Sequence, residues 1–115
     1  MTNSDILKSF YAAMEKHDWP AKRALMHDAM QFRGPLMQAN SADEMIVAIQ
    51  QMNCAMKFSD IEMLEQGDTV MSFFTCSMTQ PAPLKFRCAE RVKIQGGKIK
   101  SSEIIYDARV FPPMN

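Results

Sequence analysis

The chain has 115 residues, enough to bury one good core and too few for two, so we expect a single domain over residues 1–115. Its 13 Lys and Arg balance its 13 Asp and Glu, which leaves no overall field to attract nucleic acid or anionic lipid. The N-terminus carries charged residues and no apolar run approaches the ~20 residues of a membrane span, so we expect a cytoplasmic protein without a membrane partner.

Three helices are predicted in the first half of the chain. The first has Asn3 or Ser4 as its N-cap and apolar residues at helical spacing, and it should end near the sequence KHDW. A shorter second helix fits residues 20–27, with a proline in its first turn. After a short strand that a Gly-Pro pair stops, Ser41 and Glu44 have capping-box spacing and predict the start of the third helix.

The second half of the chain has the period of β-strands. Four strands are predicted, separated by Gly-Asp, Pro-Ala-Pro and Gly-Gly turns, over residues 57–66, 69–79, 84–94 and 99–111. Such strands form an antiparallel meander. Because the helices come first and the strands follow, we predict an α+β fold, with three N-terminal helices packed on one face of a strongly curved, mainly antiparallel sheet.

One carboxylate breaks the pattern of the strand at residues 84–94. Glu90 has the parity of the apolar residues Leu84, Phe86, Cys88, Val92 and Ile94. A buried lone carboxylate is costly, so it is paired, hydrogen-bonded or kept protonated by a raised pKa, and it can then transfer a proton to a ligand. The alternatives are a strand irregularity that turns Glu90 to solvent, or an internal ion pair with Arg33 or Arg109.

The cysteines and histidines do not have the spacing of a metal site. Cys54, Cys76 and Cys88 are expected to be buried free thiols, and Cys76 and Cys88 could face each other across a hairpin. His17 and His27 are predicted to lie at helix ends. We therefore expect no metal.

The order of these elements resembles the nuclear-transport-factor-2-like superfamily, and within it the SnoaL-like and ketosteroid-isomerase-like proteins. The resemblance is carried by FYAAMEKHDW, ALMHDAMQFRGP, SADEMIVAI, ERVKIQGGKIKSSEIIYD and YDARVF, which together span nearly the whole chain. It implies a cone-shaped, cystatin-like α+β roll that forms a homodimer through its sheet. The superfamily includes isomerases, dehydratases, epoxide hydrolases, polyketide cyclases and proteins without catalysis, so the fold alone does not give the reaction.

The resemblance carries over to the catalytic positions only in part. In steroid isomerases a tyrosine of the first helix donates to the substrate; here that position is Phe10, and Tyr11 is offset by about 100° around the helix. The position of the isomerase base holds Gly34, and the catalytic Asp of the limonene-epoxide-hydrolase branch falls at Ile104. The second oxyanion donor of the isomerases matches Glu90.

The predicted site therefore centres on Glu90 as acid or base. The resemblance implies that Tyr106 faces the cavity near Glu90 as an orienting donor, although it could equally be a core tyrosine bonded to backbone. Ligand contacts are expected from Phe10, Met14, Phe32, Phe73, Thr75, Ser102 and Ile104. The 12 methionines fit either a soft core or a deformable ligand cavity.

Three functions remain open. The first is a cofactor-free acid/base enzyme of isomerase, cyclase or hydrolase type that acts on a small apolar carbonyl, epoxide or polyketide-like compound. The second is a non-catalytic domain that binds a small apolar molecule, since both familiar catalytic positions are replaced. The third is a dimeric interaction module.

Overall fold

The computed structural model describes residues 1–111, which contain three α-helices, six strands and a final 3₁₀ turn. In chain order these are α1 (Asn3–Lys16), α2 (Trp19–Ala24), β1 (Met26–Arg33), β2 (Gln38–Ala39), α3 (Ala42–Met52), β3 (Ala55–Gln66), β4 (Thr69–Gln80), β5 (Leu84–Gln95), β6 (Lys98–Ile105) and the turn Ala108–Val110.

The six strands form one curved sheet in the order β2-β1-β6-β5-β4-β3. Strands β3 to β6 are the predicted antiparallel meander, and β1 joins β6 in parallel, so the sheet is mixed. Register shifts in β1 and β3 interrupt the regular pairing, and such irregularities bend strands. The helices pack on the concave face, which confirms the predicted α+β fold.

The helix boundaries differ from the prediction at two places. The N-cap of α1 is Thr2, whose hydroxyl accepts from the Asp5 backbone N–H while the Asp5 carboxylate accepts from the Thr2 N–H, both at 3.1 Å. The second helix ends before Leu25, because the Leu25 carbonyl accepts from the Ile99 N–H at 2.8 Å and Met26 pairs with Ile99 at the start of β1. Tertiary pairing thus replaces the last predicted turn of α2.

The third helix begins where the sequence predicts. The Ser41 hydroxyl accepts from the Glu44 backbone N–H at 3.1 Å, while the Glu44 carboxylate reaches the Asn40 N–H instead of closing a full capping box. His17 lies at the end of α1, as predicted, and has a left-handed conformation with φ of 55°. The prediction that His27 ends the second helix is wrong, because His27 lies inside β1.

The core lies between the helices and the concave face of the sheet. Its most deeply buried side chains are Leu7, Met26, Met30, Val70, Phe74, Val92, Ile94 and Ile99. The longest of the described helices, α1, has 14 residues, and none of the helices within residues 1–111 is long and apolar enough to cross a bilayer.

Candidate functional site

A cavity of about 140 Å³ lies between the helices and the concave face of the sheet. Its walls are largely apolar and include six methionines, which are Met14, Met37, Met45, Met52, Met56 and Met78. The volume is close to the ~150 Å³ of an engineered protein cavity that holds benzene, and below the ~300–1,000 Å³ of sites for drug-sized ligands. The cavity therefore has room for a molecule of about one ring.

Glu90 lies in the wall of this cavity and is only 4% exposed. Its Oε1 accepts from the Tyr11 hydroxyl and its Oε2 accepts from the Ser102 hydroxyl, each at 2.5 Å. Glu90 is thus neither turned to solvent nor paired with Arg33 or Arg109. The guanidinium of Arg33 bonds to neighbouring residues of β1 and β2, and that of Arg109 forms a salt bridge with a neighbouring aspartate.

Burial shifts the pKa values of Glu90 and Tyr11. Removal from water raises the pKa of the Glu90 carboxyl above its usual range, while the hydrogen bonds from Ser102 and Tyr11 oppose that increase. Burial and the adjacent Glu90 charge raise the pKa of Tyr11, which therefore stays a neutral phenol. Because hydroxyl groups can donate or accept, the same contacts suit both the ionised and the protonated carboxyl.

A lysine also lies in the cavity wall. Lys22 of α2 is only 3% exposed, and its Nζ lies 3.4 Å from the centroid of the Phe10 ring. Burial lowers the pKa of Lys22 to about 7, and the Glu90 charge opposes that change. The sequence carried a signal for this position that our prediction missed, because Lys22 is three and four residues before the apolar Leu25 and Met26.

Most of the predicted site residues lie at this cavity. The lining includes Glu90, Tyr106, Phe10, Met14, Phe32 and Ile104. Ser102 is buried and bonds to Glu90. That these residues contact a ligand remains a prediction.

Phe73 and Thr75 lie on the opposite face of the sheet, so their predicted position in the cavity is wrong. Phe73 is 49% exposed with the Arg87 guanidinium 4.2 Å from its ring, and the buried Thr75 hydroxyl accepts from Arg87 at 2.8 Å. Both parities of β4 are apolar, and the pairing of Ser72 with Glu90 puts the even-numbered residues on the cavity side. The residues of β4 that line the cavity are Phe74, Cys76 and Met78.

A different tyrosine from the predicted one meets Glu90. The chain leaves β6 before Tyr106, whose ring packs 5.2 Å from that of Phe86 and 5.6 Å from that of Phe111. Tyr11 donates to Glu90 instead. Tyr11 was not among the residues predicted to be buried in α1, but it lies four residues after the buried Leu7, and this spacing was the available signal.

The two replaced family positions are in contact with each other. A Cβ atom added to Gly34 would lie 3.0 Å from Ile104 Cγ2 and 3.3 Å from the Phe32 ring. Apolar packing therefore fills the space where the resemblance places the isomerase base.

The three cysteines are free thiols that line the same cavity. Cys76 pairs with Phe86 and Cys88 pairs with Phe74, so the two cysteines are not directly opposite each other across the hairpin, as the sequence had left open. Burial raises the pKa of both these thiols to about 12. Within residues 1–111, no three His, Cys, Asp or Glu side chains are grouped to hold a metal ion.

Comparisons with known proteins agree with this fold. The sequence profile of the SnoaL-like domain family matches residues 7–102. No curated protein matches the sequence significantly.

Solved structures of similar fold include a candidate polyketide cyclase from Pseudomonas putida, with a TM-score of 0.85 and 18% identity over 96% of this chain and 95% of that one. An NTF2-like protein of unknown function from Cytophaga hutchinsonii has a TM-score of 0.83 and 19% identity over 95% and 93% of the two chains. An LEH-like epoxide hydrolase from M. tuberculosis has a TM-score of 0.79 and 14% identity over 92% and 83%. At these identities the similarity establishes the fold alone.

Proposed function

The chain belongs to the SnoaL-like domain family, and we propose that it binds a small apolar carbonyl or epoxide compound and transfers a proton to or from it without a cofactor. The observation that carries this proposal is the buried Glu90 carboxyl in the wall of an otherwise mainly apolar cavity. Isomerase, cyclase and hydrolase reactions all use a positioned acid or base.

Glu90 is the proposed acid or base, and Tyr11 is its positioning partner. Burial raises the pKa of the Glu90 carboxyl above its usual range, so the carboxyl keeps a proton more readily and can act as an acid as well as a base. The Tyr11 hydroxyl donates to Glu90 in the cavity wall, so it can hold the carboxyl in place, and its oxygen can accept from a ligand donor. We propose that Tyr106 contacts the ligand, and that Tyr11 takes over the role of holding the Glu90 carboxyl in position.

The ligand is proposed to have about the size of one ring. Phe10, Met14, Phe32 and Ile104 supply apolar contacts, and burial of each square ångström of ligand surface contributes about 25 cal/mol. Unbranched methionine side chains can move to admit a somewhat larger molecule.

A non-catalytic binding domain is the second candidate, favoured by one specific contact pattern. Both Glu90 oxygens already accept from protein hydroxyls, so the carboxyl has partners without any ligand. In that case Glu90 shapes the cavity and accepts a hydrogen bond from a donor group of the ligand.

The test combines a ligand screen with one substitution. Single-ring ketones, aldehydes and epoxides are screened by ligand-observed NMR for binding and by chromatography for conversion. For any converted compound, Glu90→Gln should keep binding and reduce turnover by about 10²–10⁴. Glu62→Gln, which changes an exposed carboxyl on β3, is the matched control and should leave turnover unchanged.

Each outcome separates the candidates. Unchanged turnover in Glu90→Gln would remove the acid/base role, and binding without conversion across the panel would favour the non-catalytic domain. Failure of every compound to bind would contradict a small-molecule site of this size.

We further propose a homodimer through the outer face of the sheet. Phe73, Ala89 and Ile105 pair across β4, β5 and β6 in one row, with Phe73 49% and Ile105 64% exposed. Burial of this row against a second copy would remove apolar surface from water. Sedimentation should give a dimer that Ile105→Glu dissociates and Val47→Glu, on exposed α3 surface, does not; a wild-type monomer at micromolar concentration would contradict the proposal.

A further inference from the structure

Lys22 is the one buried lysine among residues 1–111, and its burial lacks an ordinary structural explanation. The other seven lysines are exposed. Removal of an ammonium group from water is costly, and that cost is normally offset by hydrogen bonds or an ion pair. Within the described chain Nζ makes no hydrogen bond, and its nearest aromatic partner is the Phe10 ring at 3.4 Å.

The contact with Phe10 is too weak to hold Lys22 as an ammonium. A desolvated cation–π contact stabilises an ammonium group by less than the burial of its charge destabilises it. The site therefore favours the neutral amine, in agreement with the lowered pKa of about 7. A neutral amine in an apolar cavity is a nucleophile toward carbonyl carbon.

We propose that Lys22 captures an aldehyde or ketone in this cavity as an imine. This inference rests on the proposed function, because it takes the ligand to be a small carbonyl compound. It adds a covalent step and a second reactive residue, and it narrows the ligand class from carbonyls and epoxides to aldehydes and ketones.

The step balances without an oxidant or a metal. The Lys22 nitrogen attacks the carbonyl carbon, and one N–H proton moves to the former carbonyl oxygen to give a carbinolamine. Protonated Glu90 then gives its proton to that oxygen, which leaves as water while a C=N bond forms. The remaining N–H proton of the iminium returns to the Glu90 carboxylate. The products are the imine and one water.

The surroundings favour carbonyl capture over binding of an anion by the ammonium. Glu90 lies in the same cavity wall, and its ionised form carries a negative charge that acts on Lys22. A second carboxylate would meet that charge in a desolvated site, and like charges there repel each other strongly. A neutral carbonyl compound avoids this repulsion, and its ring matches the apolar lining.

The test traps the imine in the intact native chain. Benzaldehyde, a single-ring aldehyde, is added with cyanoborohydride at pH 7, and the benzylated positions are identified by peptide mass spectrometry. With a pKa of about 7, a large share of Lys22 is neutral at this pH, so it should be labelled at least about tenfold faster than exposed lysines such as Lys100. Labelling of Lys22 at or below the rate of exposed lysines would overturn the proposal.

Benzyl alcohol separates this inference from the proposed function, because it has the same ring without a carbonyl group. Competition by benzyl alcohol against Lys22 labelling places the reaction in the cavity. If benzyl alcohol binds and Lys22 stays unlabelled, the imine is refuted while the small-molecule site stands. If benzaldehyde, benzyl alcohol and every carbonyl compound of the ligand screen fail to bind, both the imine and the small-molecule site are refuted.

Two variants test the assignment further. Lys22→Met should lose the adduct and keep benzyl alcohol binding, and Lys22→Arg should lose the adduct while keeping a cationic side chain. Circular dichroism checks that each variant folds. Should either fail to fold, the wild-type peptide map decides the question alone.

Discussion

Replacement of the buried lysine by methionine should stabilise the protein, and by an amount that depends on pH. In Lys22→Met an unbranched apolar chain of similar length takes the place of the amine in an apolar wall. The folded wild-type chain disfavours the ammonium form, whereas the unfolded chain holds it in water. The variant lacks this penalty at every pH.

The magnitude follows from the two pKa values. Lys22 has a pKa of about 7 in the folded chain against 10.5 for the model group, so between these values the unfolded chain binds a proton that the folded chain does not. The Lys22 contribution to wild-type stability therefore rises with pH in this window, at about 1.4 kcal/mol per pH unit, and falls as pH drops toward 7. The advantage of Lys22→Met should shrink by about 1.3 kcal/mol from pH 8 to pH 9.

Urea unfolding followed by the fluorescence of the single tryptophan, Trp19, measures this difference under reducing conditions. The same comparison in a Glu90→Gln background removes the carboxyl that acts on Lys22, and the stability difference should change with pH to a similar extent. Lys100→Met, at an exposed lysine, is the control and should change little between the two pH values. A difference between wild type and Lys22→Met that stays constant from pH 8 to pH 9 would refute the depressed pKa.

Three other substitutions or treatments test the surroundings of the site. Tyr11→Phe leaves one Glu90 oxygen without its buried donor and should lower the free energy of unfolding by about 1–3 kcal/mol in urea titrations; no loss would mean that the hydroxyl is not needed there. Gly34→Ala should destabilise by about 1–3 kcal/mol because its Cβ meets Ile104, and the loss should shrink in an Ile104→Ala background; equal losses in both backgrounds would contradict this contact. The buried cysteines should react with a disulfide reagent at pH 7.5 far more slowly in the native protein than in urea, and equal rates would contradict their burial.

Much of the architecture was predictable because it depends on residues close together in the chain. The Ser41 cap and the apolar stripe of α1 depend on residues three or four positions apart. The alternation of β5 depends on residues two positions apart. The same alternation identified Glu90 as an inward carboxylate. The N-cap of α1 was missed because Thr2, Asn3 and Ser4 are all residue types that cap helices. The end of α2 was missed because it depends on long-range pairing with Ile99.

The sequence by itself determined the α+β class, the helix-then-strand order and the presence of one carboxylate on an apolar strand face. Only the tertiary structure decided what surrounds that carboxylate. The register of β4 with β5 determines which face of β4 turns toward the cavity. Because β4 has apolar residues on both faces, its sequence did not show whether Phe73 or Phe74 points inward. Tyr11 and Lys22 reach the cavity of Glu90 through the packing of two helices against the sheet. Helical spacing can indicate that each residue is buried, but it does not show that Glu90 is the neighbour, because that contact is long-range.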